Sequence, residues 1–369
     1  MTSSLRPHGL RSTKSIEHWC RLPAAAKIPT MRLLVLGGTL FLGRAVVEAA
    51  LWRGWSVTTF NRGKSGEDVP GARVLRGNRL EPSDVRHAVE AGPWDAVIDM
   101  AAYVPKQVHT LSRTLATVSR RYALVSTVSV YEGWPAEPLS EASVVLDCPP
   151  DAEEDFGPPD VEDGPTRYGR LKAGCERAVL DSFGHDRALI IRPGVVLGPR
   201  EYVGRLPWWL RRVAAGGRVV APGPPGRTIQ PIDVRDTAEF LLNALVDDHM
   251  GIFNVAGPTN RDTFADLLDA CKRTTASGAE IVWVADDVLL RRGVRQWSEL
   301  PLWRTHRGVW SVDAAAAFAV GLRSRPLAET VTATWAWMQT AQQMLNERSA
   351  EIGLTQQHEA EILASVDQR

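Results

Sequence analysis

Hydrophobic residues fall along this chain in two alternating rhythms. Leu33-Leu34-Val35-Leu36 is a short unbroken apolar run that stops at Gly37-Gly38; beyond it Phe41, Leu42, Ala45, Val46, Ala49 and Ala50 recur at helical spacing. The first pattern is that of a strand and the second that of one face of a helix, so the stretch predicts strand, tight turn, helix. Trp55–Phe60 predicts a second strand and Arg73–Arg76 a short third. Helical spacing returns over Pro82–Ala91, Ala96–Asp99 predicts the fourth strand, a helix follows over Lys106–Ser119, and Tyr122–Ser126 predicts the fifth strand. Another helix opens at Tyr168 and runs on through Ala173, Glu176, Ala178 and Val179.

Strands and helices alternating in this way predict an α/β chain: a Rossmann-type doubly wound parallel sheet over residues 31–193, with a smaller C-terminal substrate-binding lobe mainly from residues 194–350 that returns in part to the sheet. In the lobe, Pro207-Trp208-Trp209-Leu210 begins a helix, Arg218–Ala221 is a short strand and Pro222–Gly226 a rigid loop. Thr263–Cys271 predicts an amphipathic helix, Ile281–Val284 a strand, and Leu327 to about Asn346 a long helix with Val331, Trp335, Met338 and Met344 on one side. Residues 351–369 read as a tail that forms a short surface helix with no assigned role.

Composition changes this picture in a few places. The 369 residues are 44% hydrophobic and 23% charged, enough for a full core plus a second lobe. Forty-three basic residues balance forty-three acidic ones, so nothing global attracts nucleic acid or an anionic membrane, and neither is expected as a partner. No apolar run is long enough to span a bilayer. Cys20, Cys148, Cys175 and Cys271 are scattered without a Cys-x-x-Cys pair, which fits free thiols in a reducing cytoplasm. The first thirty residues carry Arg6, Arg11, Lys14, Arg21 and Lys27 against Glu17 alone and read as a disordered extension or, alternatively, a targeting or interaction arm. Met31, directly before the first strand, is an alternative start. Residues 132–165 contain no Lys or Arg but many acids, among them Glu137, Asp147, Asp151, Glu153, Asp155, Asp160, Glu162 and Asp163. That predicts a long acidic surface loop that buries little; its acids show no regular ligand spacing, and no metal is expected.

The chemistry starts at the glycine pair. Gly37, Gly38, Thr39, Phe41, Leu42 and Gly43 form a turn into a helix N-terminus, where glycine lets a phosphate approach the backbone and the free N–H groups and dipole attract a pyrophosphate. The context is that of a dinucleotide-binding unit. At the end of the second strand an acid would bond a ribose 2′-hydroxyl, whereas arginine accommodates a 2′-phosphate. Here Asn61-Arg62 stands in that place, which favours NADP over NAD; the alternative is a solvated turn arginine. Asn78, within Gly77-Asn78-Arg79, follows the third strand where the adenine edge falls. Ala101 and Ala102, after the fourth strand, are small either for cofactor contact or for close packing.

Tyr168 and Lys172 lie four apart on one helix and share a face. A phenol is a poor base at neutral pH, and a nearby ammonium favours the phenolate, so Tyr168 can exchange a proton while Lys172 tunes it. The hydroxyls of Thr127 and Ser129 follow the fifth strand at its carboxyl end, where ligands of open parallel sheets bind.

With these motifs the chain resembles the extended short-chain dehydrogenase/reductase family, which contains NAD-dependent epimerases and dehydratases. The likeness also covers Ser126–Tyr131, Arg192-Pro193-Gly194, Gln230–Asp236 and Phe253–Gly257, so it spans about residues 31–340. It implies Thr127 as the hydroxyl that bonds the reacting oxygen, Tyr168 as acid/base and Lys172 as holder of the nicotinamide ribose, with Pro193 against the cofactor. Three departures matter. Leu40 stands at the middle glycine of the usual turn, as in an atypical branch with Gly-Gly-Thr-x-Phe-Leu-Gly. Val128 and Ser129 replace the Asp-Glu pair of sugar-nucleotide dehydratases, and Ile229 replaces an arginine that holds a nucleotide diphosphate, with Arg227 nearby as a substitute.

The expected function is an NAD(P)-dependent oxidoreductase that reduces a ketone or oxidises a secondary alcohol of a small-molecule substrate, in secondary metabolism. Sugar epimerisation by internal redox at one carbon is the enzymatic alternative. The atypical turn also resembles that of chloroplast stem-loop RNA-binding relatives, a reading that zero net charge disfavours. Trp208 lines the substrate pocket or anchors the lobe core, and Ser129 and Arg227 are further substrate-binding candidates. A homodimer stays open.

Overall fold

The computed structural model describes residues 30–160, 164–340 and 351–367. The expected N-terminal extension, the acids Glu162 and Asp163, and the end of the long helix at Met344 and Asn346 lie outside the described residues. Strands and helices alternate through the first half: β1 (Arg32–Leu36), α1 (Phe41–Trp52), β2 (Ser56–Asn61), β3 (Arg73–Arg76), α2 (Pro82–Glu90) and β4 (Trp94–Asp99). Next come α3 (Pro105–Leu115), β5 (Ser119–Val125), α4 (Arg167–Phe183), β6 (Ala188–Pro193) and β7 (Val195–Leu197). The second half holds α5 (Arg205–Ala214), β8 (Arg218–Pro222), β9 (Thr228–Ile229), β10 (Pro231–Asp233), α6 (Val234–Val246) and β11 (Gly251–Val255). It closes with β12 (Asp262–Thr263), α7 (Phe264–Thr275), β13 (Glu280–Val284), α8 (Asp286–Arg291), α9 (Ala315–Ala319) and α10 (Leu327–Thr340).

Seven strands form one parallel sheet in the order β11-β6-β5-β4-β1-β2-β3. It is the doubly wound arrangement that the alternation predicts. Period-two alternation in each strand feeds two cores, because a parallel sheet is covered on both faces. Leu34, Leu36, Val97 and Leu124 join Val108, Leu111 and Val179 of α3 and α4 on one face. On the other, Leu33, Val35, Ile98 and Ile191 join Val46 and Val47 of α1 and Leu241 of α6. Strand order reverses between β1 and β4, so a crevice opens beyond their carboxyl ends.

The remaining strands make three small two-stranded sheets, β7 with β10, β9 with β12 and β8 with β13. Two expectations are corrected here. The acidic segment is irregular and its acids Asp147, Asp151, Glu153 and Asp155 are exposed, yet Trp134, Leu139, Leu146 and Cys148 within it are buried. Charge density hid these apolar anchors, which the segment spends on the core while its acids face water. The tail, too, is more than a surface helix. Its helix Gln356–Asp367 buries Ile362 completely, and the Glu359 carboxylate accepts from Val220 N at 3.0 Å and Arg212 Nε at 2.7 Å.

Candidate active site

A cleft of about 450 Å³ opens at the sheet crevice. The residues from Leu36 to Gly43 form one wall of it, so Gly37, Gly38, Thr39, Phe41, Leu42 and Gly43 are all brought together as expected. Gly37 and Gly38 have φ of +99° and +94°, the left-handed region that favours glycine. A methyl group at Gly38 would also lie 3.0 Å from Val47 Cγ2, so the turn packs onto α1 too closely for a side chain. Leu40 is the N-cap of α1 and makes no side-chain cap hydrogen bond, which leaves the cap's usual partners, the first-turn N–H groups, beside the cleft. At the middle-glycine position Leu40 itself lines the cleft.

Asn61, Arg62, Asn78 and Ala101 line the same cleft, from the ends of β2, β3 and β4. Arg62 is exposed there. Ala102, Lys172 and Pro193 fall outside the lining, as do Thr127, Ser129 and Tyr168. Ala102 is buried and turns its carbonyl to Lys172, while Pro193 ends β6 inside the sheet, paired with Val255. Sequence reading missed Tyr103, Gln107 and Tyr202 as lining residues. Tyr103 follows directly on the small residues after β4 and so carried a signal. Tyr202 carried none, since it arrives from far along the chain to set its ring edge-on to Phe41, with centroids 6.3 Å apart.

The catalytic candidates gather at the end of β5. Thr127 caps the short 3-10 turn Val128–Val130: its hydroxyl accepts from Ser129 N at 3.2 Å and lies 3.3 Å from Ser129 Oγ. Thr166 caps α4 through Gly169 N at 3.0 Å, which starts the helix one residue before Tyr168. Tyr168 is 44% exposed, its ring 6.5 Å from that of Tyr103. Lys172, one turn on, is 3% exposed, and its Nζ donates to the carbonyls of Val125 at 2.6 Å and Ala102 at 2.8 Å. It also lies 5.7 Å from the Tyr103 ring centroid. Burial lowers the Lys172 pKa from the ordinary lysine value against the opposing pull of Cys175, Asp99 and Glu176.

The family model described as NAD dependent epimerase/dehydratase family matches residues 33–256, from β1 through β11. The chain belongs to the NAD dependent epimerase/dehydratase family. Within it, the chain is 26% identical over 258 residues to the chloroplast stem-loop binding protein of 41 kDa b of Arabidopsis thaliana, which covers 66% of this chain and 62% of that one. It is 29% identical over 227 residues to 2′-dehydrokanamycin reductase of Streptomyces kanamyceticus, covering 59% of each. The chain thus spans about three fifths of the length of these curated relatives. A crystal structure of the Bordetella bronchiseptica enzyme WbmG in complex with NAD and UDP superposes with a TM-score of 0.62 at 18% identity, over 84% of this chain and 96% of that one. That likeness shows the fold.

Two substrate-binding candidates lie elsewhere in this family member. Arg227 Nη2 pairs with Asp286 and donates to the Gly223 carbonyl at 2.9 Å, and its Nη1 donates to the Arg304 carbonyl at 3.2 Å. Three acceptors tie it to the lobe framework. Trp208 packs edge-on to the buried Trp209, with centroids 4.7 Å apart, and against the backbone of Gly353, outside the cleft lining. Trp209 is fully buried on the inward face of α5, and Trp208 beside it is half-buried. Among the described residues, no group of three or more His, Cys, Asp or Glu side chains is placed to hold a metal ion, and no helix is long and apolar enough to cross a membrane.

Proposed function

We propose that this protein is an NAD(P)-dependent oxidoreductase that reduces a ketone, or oxidises a secondary alcohol, of a small molecule. The observation that carries the reading is Lys172, buried and fixed by the Val125 and Ala102 carbonyls, one helical turn from Tyr168, whose ring lies 6.5 Å from that of the cleft-lining Tyr103. A lysine ammonium is rarely buried without a task, and this one sits where it favours a phenolate on its own helix face. The cleft fits a dinucleotide: left-handed glycines, an uncapped helix start and the crevice at the strand-order reversal all meet there. Gly37 to Gly43 would hold the pyrophosphate, Asn61, Arg62 and Asn78 the adenosine half, and Lys172 the nicotinamide ribose. When bound, the nicotinamide supplies or accepts the hydride.

In the reductive direction Tyr168 protonates the carbonyl oxygen and Thr127 orients it; in the oxidative direction Tyr168 takes the hydroxyl proton. Arg62, with no acid at the end of β2, supports a preference for NADP. The reductase activity in the name of the Streptomyces relative supports the reductive reading. Cysteines scattered without a Cys-x-x-Cys pair support a reducing, cytoplasmic setting.

The test is to denature freshly purified protein, identify any released nucleotide, and titrate the emptied protein with NADH and NADPH. An empty protein that prefers NADPH supports the reductase, and a carbonyl screen then finds its substrate. Stoichiometric NAD release moves the reading to an epimerase, which must retain its cofactor through a closed redox cycle. If neither nucleotide binds, the oxidoreductase reading falls. The Arabidopsis relative's name brings in stem-loop binding as the other outcome, and failure to shift RNA at low salt removes it.

A further inference from the structure

Arg79 lines the cleft two residues beyond Gly77, and its contacts converge on the end of β4. Nη2 donates to Asp99 Oδ2 at 2.7 Å; Nη1 donates to Asp99 Oδ1 at 3.2 Å and to the Ala101 carbonyl at 2.6 Å. Asp99 is fully buried, and its Oδ1 also accepts from Ala101 N at 2.9 Å while Oδ2 accepts from the Tyr122 hydroxyl at 2.8 Å. The pair therefore grips Ala101 by both its N–H and its carbonyl. The next carbonyl, that of Ala102, is one of the two that hold the Lys172 ammonium. Apolar residues of similar volume often stabilise a core as well as a buried ion pair does, so the place of this one, a residue away from a lysine acceptor, points to positioning. Arg79 Nε is buried with no acceptor, so the grip on Asp99 and Ala101 runs through Nη1 and Nη2.

We propose that Arg79 and Asp99 are positioning residues that set Lys172 through the Ala101–Ala102 segment, linking the adenosine side of the cleft to the Tyr168–Lys172 pair. The proposal rests on the roles given above to Lys172 and Tyr168. Asp99 and Arg79 act on the Lys172 charge in opposite directions, so the pair's action on Lys172 runs chiefly through geometry. Loss of the grip lets Ala102, and with it the ammonium, drift from the phenol.

Arg79→Lys keeps a cation beside Asp99 but lacks the fork that spans both the carboxylate and the Ala101 carbonyl. The double variant Arg79→Met, Asp99→Leu removes both charges together. Each is compared with the same protein carrying Tyr168→Phe, and the ultraviolet difference between the two follows the Tyr168 phenol through a pH titration without added nucleotide. In both variants the expected result is an unchanged circular dichroism spectrum and a Tyr168 phenol titrating about half a pH unit or more above wild type. NADPH also binds more weakly. An unmoved phenol titration in a folded variant overturns the proposal, even if nucleotide affinity falls. Should the double variant not fold, Arg79→Lys decides alone. A wild-type protein that binds neither NADH nor NADPH removes the oxidoreductase reading, and the phenol titration still decides the link from Arg79 to Lys172.

Discussion

Gly169 lies so close to the Ser129 carbonyl that a methyl group on its Cα would sit 2.0 Å from that oxygen. The first turn of α4 is thereby pressed onto the turn that carries Thr127 and Ser129, and the contact sets how near Tyr168 comes to the Thr127 hydroxyl. Gly169→Ala must push the two elements apart. The expected cost is about 1–3 kcal/mol of stability, measured by denaturant unfolding, with a fall in turnover larger than the loss of folded protein explains.

Tyr168→Phe removes the hydroxyl proposed as the proton donor and keeps the ring against Tyr103. It is expected to fold and bind nucleotide normally and to lose turnover by about a hundredfold or more, as measured on a carbonyl substrate from the screen. Unchanged turnover would rule out the acid/base role.

Gly38→Ala places a Cβ in a left-handed turn and against Val47. Strain of about 1–2 kcal/mol at this residue predicts roughly tenfold weaker nucleotide binding, read from fluorescence titration. An equal change at an exposed turn glycine such as Gly54, which meets nothing within 4 Å, leaves binding unchanged.

Arg62→Asp exchanges the exposed cation at the end of β2 for the acid that bonds a ribose hydroxyl. The ratio of NADPH to NADH affinity is expected to drop about tenfold or more, chiefly through NADPH. An unchanged ratio would return Arg62 to a solvated turn residue.

Asp99 contributes to acid stability. Desolvation opposes its charge, but the Arg79 guanidinium and the Ala101 and Tyr122 hydrogen bonds outweigh it and hold the carboxyl below the ordinary value. A carboxyl lowered in the folded state contributes stability that is present above its unfolded pKa, about 3.9, and is lost as pH falls through the folded pKa. Thermal melts of wild type should therefore fall more steeply below about pH 4 than those of the Arg79→Met, Asp99→Leu double variant, which lacks this titration.

By itself the sequence determined the first five strands with the helices between them, the doubly wound class of the sheet, the glycine turn and the Tyr168–Lys172 pair. Each is encoded locally: a hydrophobic period marks an element, left-handed backbone calls for glycine at a turn, and residues four apart share a helix face. Only the tertiary structure decided what meets what across the chain. Tyr202 comes to Phe41, Asp99 to Arg79, and Glu359 to Val220 through packing between elements far apart in sequence. The same holds for the acidic loop, whose charges are its most visible feature while its few apolar residues fix its path. Arg227 is a substrate candidate by type and Trp208 a candidate for pocket or core, and the fold gives them an ion pair and a tryptophan neighbour. A side chain's chemistry is a local property, whereas the direction it faces follows from how the lobe closes on the sheet.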